Sequence, residues 1–257
     1  MKQTPFWKYQ GSGNDFIMID NRDLRFDTSL FAIHKLCDRR FGIGADGLIC
    51  LENSNEADFQ MVYFNSDGNE STFCGNGGRC VVAFAKLLSI IESQTTFKAK
   101  DGFHEAKILG REVRLKMIDV PEIKVQNDGY ELYTGSPHFV KSVETVLGLD
   151  VKFLGAAVRY SDQFAFTGIN VNFMEQKKDR ILVRTYERGV EDETYSCGTG
   201  VTASALVAAS LGMTSPIQVE TPGGILKVEF IKSGLNSYSE IYLQGPAELV
   251  FEGKIEI

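Results

Sequence analysis

Apolar and polar positions follow two different periods along this chain. Phe16-Ile-Met-Ile-Asp20, Leu48-Ile-Cys-Leu51 and Phe59-Gln-Met-Val-Tyr-Phe64 are short apolar runs, the pattern of buried strands. Turn residues bound them: Gly11-Ser-Gly-Asn14, the glycine-rich Gly42-Ile-Gly-Ala-Asp-Gly47 and Asn65-Ser-Asp-Gly68. Residues 28 to 40 carry Leu30, Phe31, Ile33, Leu36 and Cys37 at helical spacing. Gly78 to Leu88 is apolar on nearly every side, which predicts a buried helix. Thr95 to Met117 alternates, as in Glu112-Val-Arg-Leu-Lys-Met117, and predicts two or three strands. The second half predicts a turn and strand near Gly135 and a helix at about 142 to 148. Strands at Phe164 to Phe173 and Arg180 to Tyr186 follow, then a buried helix from Val201 to Leu211 ended by Gly212. Thr221-Pro-Gly-Gly224 is a turn between closing strands, and a last strand runs near Leu249 to Ile257.

The two halves share more than a plan. Glu70-Ser-Thr-Phe-Cys74-Gly-Asn-Gly is matched by Glu193-Thr-Tyr-Ser-Cys197-Gly-Thr-Gly, 123 residues later (197 − 74). The same offset carries Tyr63 onto Tyr186 and Phe16 onto Phe139. An internal repeat of this size predicts two similar lobes related by a pseudo-two-fold axis. The N-terminal lobe is residues 1–117 with Cys74, the C-terminal lobe residues 118–246 with Cys197, and the strand at 247–257 returns to the first lobe. Each lobe then offers one thiol from the same position. Two thiols facing each other across a cleft is what proton transfer at both faces of one carbon needs.

Composition narrows the partners. A formal net charge of −7 argues against nucleic acid, which usually calls for a basic face. No apolar run approaches the roughly 20 residues of a membrane span. Met1-Lys-Gln-Thr-Pro-Phe-Trp has no apolar signal core, so the expected compartment is the cytoplasm. An odd count of five cysteines argues against a disulfide framework. Cys74 and Cys80 are six apart and the three histidines, His34, His104 and His138, are scattered, a poor fit to zinc. No lysine stands in a motif for a pyridoxal Schiff base, and neither a dinucleotide fingerprint nor a P-loop is present. The expected cofactor is none.

Each repeated cysteine sits just before Gly-x-Gly and a buried helix. A helix N-terminus carries orphan N–H donors and a partial positive charge, which favours the thiolate. The same N–H groups can hold a carboxylate, and glycine lets a ligand approach the backbone. One short motif thus supplies a base and an anion cradle, twice. Cys37, Cys50 and Cys80 lie inside apolar periodic segments, where core packing is the better reading. In Tyr186-Glu-Arg-Gly189, Glu187 suits an ammonium and Arg188 a carboxylate; a solvated strand end is the alternative. Asn170 and Asn172 share one face of an apolar strand and need partners there. Asn14, Asn65 and Asn76 read equally as turn formers. His138, after a proline turn at the repeat equivalent of Asp15, either supports a thiol or is a satisfied histidine at a turn.

These motifs resemble the diaminopimelate epimerases, cofactor-independent amino-acid isomerases. The resemblance rests on Gly11-Ser-Gly-Asn-Asp-Phe16, Gly42-Ile-Gly-Ala-Asp-Gly47, Asn65-Ser-Asp-Gly68, Cys74-Gly-Asn-Gly-Gly-Arg-Cys80, Pro137-His138, Asn170-Val-Asn-Phe173, Tyr186-Glu-Arg-Gly189, Cys197-Gly-Thr-Gly200 and Thr221-Pro-Gly-Gly224, with Gly245-Pro-Ala247 and Val250-Phe-Glu-Gly253 near the end. It implies an α/β fold of the α+β type, each lobe wrapping a mostly antiparallel sheet around a central helix. It further implies that Cys74 and Cys197 are the two bases and that His138 and Glu187 support them. Asn14, Asn65, Asn170, Glu187 and Arg188 then bind the substrate, and the amides of Gly75, Asn76, Gly198 and Thr199 hold its α-carboxylate. The implied activity is epimerisation of LL-diaminopimelate to the meso form, for lysine and peptidoglycan precursors, by a homodimer. Ser136 stands where the family often has asparagine, and Gly47 where some members have glutamine; both positions concern substrate contacts. A proline racemase-like or phenazine-synthesis-like isomerase, or an amino-acid-binding protein without catalysis, are the other readings.

Overall fold

The computed structural model describes residues 3–256; Met1, Lys2 and Ile257, the last of which the expected final strand included, lie outside them. The chain divides into two compact units. One takes the residues up to Leu115 and those from Gly245 on, the other Lys116–Gln244.

The first unit opens with β1 (Gln3–Gly11) and β2 (Asn14–Asp20), followed by α1 (Leu30–Cys37), β3 (Gly47–Glu52) and β4 (Phe59–Asn65). Then come α2 (Gly75–Leu87), β5 (Gln94–Ala99), β6 (Gly102–Leu109) and β7 (Glu112–Lys116). The second holds β8 (Lys124–Gln126), β9 (Gly129–Tyr133), β10 (Pro137–Ser142), α3 (Val151–Arg159), β11 (Asn170–Gln176) and β12 (Arg180–Glu187). It continues with β13 (Asp192–Thr194), α4 (Gly198–Ser210), β14 (Ile217–Thr221), β15 (Gly224–Lys232) and β16 (Tyr238–Pro246). The last strand, β17 (Glu248–Glu256), pairs antiparallel with β1.

Most neighbouring strands run antiparallel, and the exceptions have a shared cause. β2 lies parallel to β3 and β4 to β5 in one unit; β10 lies parallel to β11 and β12 to β14 in the other. A parallel pair cannot be closed by a hairpin and needs a crossover, which a helix supplies. The four helices among the described residues are those four crossovers. The order of parallel pairs and crossovers repeats between the units, and α2 at 75–87 and α4 at 198–210 begin and end 123 residues apart. The fold is α+β, with mostly antiparallel sheet around one helix in each unit.

Those two helices are buried because their sequences allow no wet face. Every residue of α2 from Gly75 to Val82 is buried, and every residue of α4 from Gly200 to Ala209. Small residues set the approach. A Cβ on Gly77 would lie 2.9 Å from Ile49 Cδ1, and one on Gly78 only 2.5 Å from the Phe73 ring. Aromatic side chains close the first core, with Phe16 edge-on to Tyr63 and Phe59 stacked on Phe97.

Three segments depart from their expected form. The helix expected at about 142 to 148 is absent; α3 begins at Val151, capped by the Asp150 carboxylate, which accepts from Phe153 N at 3.0 Å. Residues 143–150 form a loop in which Val146 is buried, with Val143 and Leu149 half-buried against the same core cluster; the Val146 N–H donates to the buried Glu175 Oε2 at 2.9 Å, while Gly148 turns at φ 74°. Apolar residues at helical spacing there reach one core cluster from a loop rather than from a helix. Phe164 to Gly168 is a turn rather than strand, closed by Gly168 N to Phe164 O at 2.8 Å, and the strand starts at Asn170. β1 escapes the hydrophobic pattern because Lys8 interrupts it; that lysine is buried against Asp15 at 2.8 Å.

Candidate active site

Cys74 and Cys197 are the N-cap residues of α2 and α4, with φ, ψ of −118°, 121° and −112°, 111°. Neither helix has an acidic residue in its first turn, so the positive end of each peptide dipole is unneutralised by side chains. All five cysteines are free thiols. Burial pushes the Cys37 and Cys80 thiols up to about 12 and raises Cys50 as well. Those three are core residues.

Around Cys74 the polar groups form a chain with a fixed direction. Arg79 Nη2 donates to Asn76 Oδ1 at 3.0 Å, and Asn76 Nδ2 to Asn14 Oδ1 at 3.3 Å. Asn14 Nδ2 then donates to Asp46 Oδ2 at 2.7 Å. A guanidinium can only donate and a carboxylate only accept, so both amides are locked in orientation. Asn14 Oδ1 is thereby held 3.6 Å from Cys74 Sγ, which donates to it. Asp46 is anchored in turn by Arg39 at 2.7 Å, and Arg39 also grips Asp15. Burial alone pushes the Asp15 carboxyl up, but hydrogen bonds from Arg39 and Lys8 outweigh it and hold it well below the usual carboxylate range.

Arg79 was not singled out from the sequence, where it reads as one more charged residue of a helix. It is fully buried, and its bonds run to Pro246 O, Gly75 O, Ser12 Oγ and Asn76 Oδ1, all neutral acceptors. Its signal in the sequence is a charge set between the glycines and the apolar run of the helix, at Gly77-Gly-Arg79-Cys-Val-Val82.

Around Cys197 a second chain runs. Asn172 Nδ2 donates to Phe139 O and to His138 Nδ1, both at 3.1 Å, while Thr185 Oγ1 donates to Asn172 Oδ1 at 3.0 Å. Because the Phe139 carbonyl can only accept, the amide orientation is settled and His138 Nδ1 is an acceptor. Burial, helped by the nearby Arg188 charge, drops the His138 pKa to about 3, so the ring is neutral with its proton on Nε2. Nε2 therefore donates to Thr199 Oγ1 at 2.9 Å, and Thr199 Oγ1 lies 3.4 Å from Cys197 Sγ. Thr199, expected to contribute through its amide, also places its hydroxyl between histidine and thiol. Gly200 makes room for this: a Cβ there would sit 2.3 Å from Asn172 Oδ1. The second glycine of each Cys-Gly-x-Gly phrase thus serves packing against the neighbouring strand, Ile49 in one unit and Asn172 in the other.

The remaining expected residues are placed as follows. Glu187 ends β12 and accepts from Thr194 Oγ1 at 3.0 Å. Arg188 is exposed; its N–H donates to Asn170 Oδ1 at 2.9 Å and its Nη1 to Thr167 O at 3.1 Å. Asn170 is buried, with Nδ2 donating to Ser136 Oγ at 2.9 Å and Pro137 O at 3.0 Å, so it pins the Arg188 backbone. Asn65 is half-buried at the end of β4, its backbone closing the turn to Asn69. The amides of Gly75, Asn76, Gly198 and Thr199 lie in the first turns of α2 and α4. Gly47 has no room for a side chain, since a Cβ would meet Phe64 O at 2.5 Å and the Tyr63 ring at 2.6 Å. No group of three His, Cys, Asp or Glu among the described residues could hold a metal ion, and no helix among them is long and apolar enough to cross a membrane.

A family model described as diaminopimelate epimerase matches residues 6–120 and 130–250. The diaminopimelate epimerase of Flavobacterium psychrophilum is 52% identical over 97% of this chain and 99% of its own length. That of Chlorobaculum tepidum is 42% identical over 96% and 99%. Among solved structures, a phenazine biosynthesis protein of the PhzF family from Bacillus anthracis superposes with a TM-score of 0.78 at 16% identity, covering 100% of both chains. A hydroxyproline epimerase from Agrobacterium vitis gives 0.67 at 14%, covering 98% of this chain and 92% of the other; at such identities the likeness is one of fold. With both repeat motifs inside the matched spans, the chain belongs to the diaminopimelate epimerase family.

Proposed function

We propose that this chain interconverts LL- and meso-diaminopimelate without a cofactor, by a two-base mechanism. The observation that carries the reading is the pair of thiols at equivalent helix N-termini, Cys74 and Cys197, in a chain whose near-full-length relatives are diaminopimelate epimerases. One thiolate removes the α-proton and the other thiol returns a proton to the opposite face of the carbon. The α-proton of an amino acid is weakly acidic, so the developing charge needs stabilisation. We assign carboxylate binding to the first-turn amides, Gly75 and Asn76 in one unit and Gly198 and Thr199 in the other. Glu187 and Arg188 bind ammonium and carboxylate groups, with Asn14, Asn65 and Asn170 lining the substrate, Asn170 largely by fixing Arg188. His138 supports Cys197 through Thr199. A general base contributes roughly 10² to 10⁴ in rate, so electrostatics and geometry supply the rest. Work in lysine and peptidoglycan precursor synthesis, a cytoplasmic location and a homodimeric state complete the proposal.

The test is NMR in deuterium oxide, with LL-diaminopimelate, reductant and no pyridoxal phosphate. Wild type is expected to wash deuterium into the α-position and to form the meso isomer, while Cys74→Ala and Cys197→Ala form none. Absence of exchange with wild type would sink the substrate assignment.

A further inference from the structure

The turn that follows Glu187 is pinned by a side chain whose own backbone conformation is unfavourable. Strands β12 and β13 pair from Thr185–Thr194 to Glu187–Asp192, so Arg188 to Glu191 form the four-residue loop of a hairpin. The loop closes on Glu187 O, which accepts from Val190 N at 3.2 Å and from Glu191 N at 2.8 Å. Two of its residues lie in the left-handed region, Gly189 at φ 93° and Glu191 at φ 57°. Glycine enters that region readily; a glutamate there is strained and persists where its surroundings hold it. The repeat sharpens the contrast. At the offset of 123 residues Glu191 falls on Gly68, the last residue of the Asn65-Ser-Asp-Gly68 turn, at φ 89°. The first unit uses a glycine where the second uses a glutamate.

The glutamate is held by its carboxylate. Glu191 Oε1 accepts from Gly189 N at 3.1 Å, and Oε2 accepts from Tyr186 Oη at 2.8 Å and Tyr160 Oη at 3.0 Å. Arg159 Nε lies 3.7 Å from Oε1 as an ion pair, and the Arg159 guanidinium rests over the Tyr160 ring, 4.9 Å from its centre. Tyr186 is buried and packs closely on α3, where a Cβ at Gly155 would lie 2.3 Å from the tyrosine Cβ. Arg159 and Tyr160 end the same helix. One carboxylate therefore ties the loop to the end of α3 and to the core side of β12. At the same offset Arg159 and Tyr160 fall on Leu36 and Cys37, both buried, so the first unit has apolar packing where the second has this anchor. Burial pushes the Glu191 carboxyl up, but the Gly189 amide, the two tyrosine hydroxyls and Arg159 outweigh it and hold its pKa below the ordinary value.

We infer that Glu191 is a positioning residue: acting through the loop backbone, it holds Glu187 and Arg188 in the form that meets the substrate. The inference rests on the assignment of substrate binding to Glu187 and Arg188 made above. A loop without its pin adopts the binding form only part of the time. Apparent affinity then falls by that fraction, while bound substrate restores the form, so KM rises and kcat holds.

The experiment compares wild type, Glu191→Gly and Glu191→Gln in two readouts, amide hydrogen exchange of Gly189 by NMR and steady-state kinetics with LL-diaminopimelate. Glu191→Gly removes the carboxylate and relaxes the backbone, so its losses do not come from strain. Its Gly189 amide is expected to exchange at least about tenfold faster, the worth of a hydrogen bond to a charged acceptor. Its KM is expected to rise about fivefold or more, with kcat within about twofold of wild type. Glutamine keeps an oxygen for Gly189 and turns its amide to the tyrosine hydroxyls, which accept as well as donate. Glu191→Gln is therefore expected to stay within about threefold of wild type in both readouts. Unchanged exchange in Glu191→Gly overturns the inference, and so does faster exchange with an unchanged KM. A glutamine variant as impaired as the glycine variant also overturns it and assigns the effect to the charge beside Arg159. If Glu191→Gly fails to fold, Tyr160→Phe, which removes one donor from the carboxylate, is expected to raise exchange and KM about threefold, and no rise overturns the inference. If wild type leaves diaminopimelate unchanged, the function assigned above fails, and the Gly189 exchange alone decides whether Glu191 holds the loop.

Discussion

Gly200→Ala and Gly77→Ala make one substitution at the same place in two equivalent helices, yet their consequences differ. A Cβ at position 200 lies 2.3 Å from Asn172 Oδ1 and 3.3 Å from His138 Cε1. The amide head must retreat by about 1 Å to reach van der Waals contact. It is held by Thr185 Oγ1 at 3.0 Å and by bonds to His138 Nδ1 and Phe139 O at 3.1 Å, all in a site closed to water. Each buried group left unpaired costs about 1–3 kcal/mol. With two such losses, and about 1 kcal/mol returned by alanine's better helix propensity, the net destabilisation is about 3 kcal/mol. For a chain of this size that lowers Tm by roughly 6 to 12 °C. At position 77 the Cβ meets Ile49 Cδ1 at 2.9 Å, the far end of a side chain that can rotate away. The expected change there is within about 1 kcal/mol of zero. Scanning calorimetry of both variants reads the difference, in which helix propensity cancels. Activity follows the same order: loss of Asn172 frees the His138 tautomer, and Gly200→Ala is expected to lose at least about tenfold in kcat. If the two variants melt within about 2 °C of each other, the contact with Asn172 is not what glycine protects.

His138 couples stability to pH. Its folded pKa, about 3, lies below the ordinary histidine value, so between the two the unfolded chain binds a proton that the native state does not. That contribution is intact above about pH 6.5 and is lost at about 1.4 kcal/mol per pH unit as pH falls toward 3. The difference between wild type and His138→Gln, measured by denaturant titration across that window, is expected to shrink on acidification; a constant difference refutes it. Ser136→Ala removes one acceptor of Asn170 Nδ2, leaving Pro137 O, and so loosens Arg188. It is expected to raise KM for diaminopimelate about threefold to tenfold with kcat near wild type; an unchanged KM argues that Ser136 holds nothing used in binding. Gly47→Gln drives a side chain into Phe64 O and Tyr63, and is expected to lower stability by at least about 3 kcal/mol. A variant that melts like wild type shows that the space opens at little cost.

The hydrophobic pattern was reliable where a segment is buried along its whole length. β3, β4, α2 and α4 stand within a few residues of where apolar runs placed them. It misled where a loop supplies the burial: Val143, Val146 and Leu149 imitate a helix while packing on the core from a loop, and Lys8 hides β1 because its charge is matched by an aspartate on the next strand. The repeat of the two Cys-Gly-x-Gly phrases pointed to the two helix N-termini directly, because N-cap position and helix start are local properties of the chain. Asn172 is marked by its place on one face of an apolar strand, but the roles of Arg79 and of the Thr199 hydroxyl are not legible locally, since their meaning depends on what faces them.

The sequence by itself determined the family, the repeated topology and the two thiols, all carried by local motifs and their offset. Only the tertiary structure decided how those thiols differ. The direction of a hydrogen-bond chain is set by its ends, and those ends come from distant segments: Asp46 against Asn14, the Phe139 carbonyl against Asn172. No spacing in the chain encodes which atom of an amide will meet a sulfur; that follows from which charges and carbonyls the fold brings to the other side.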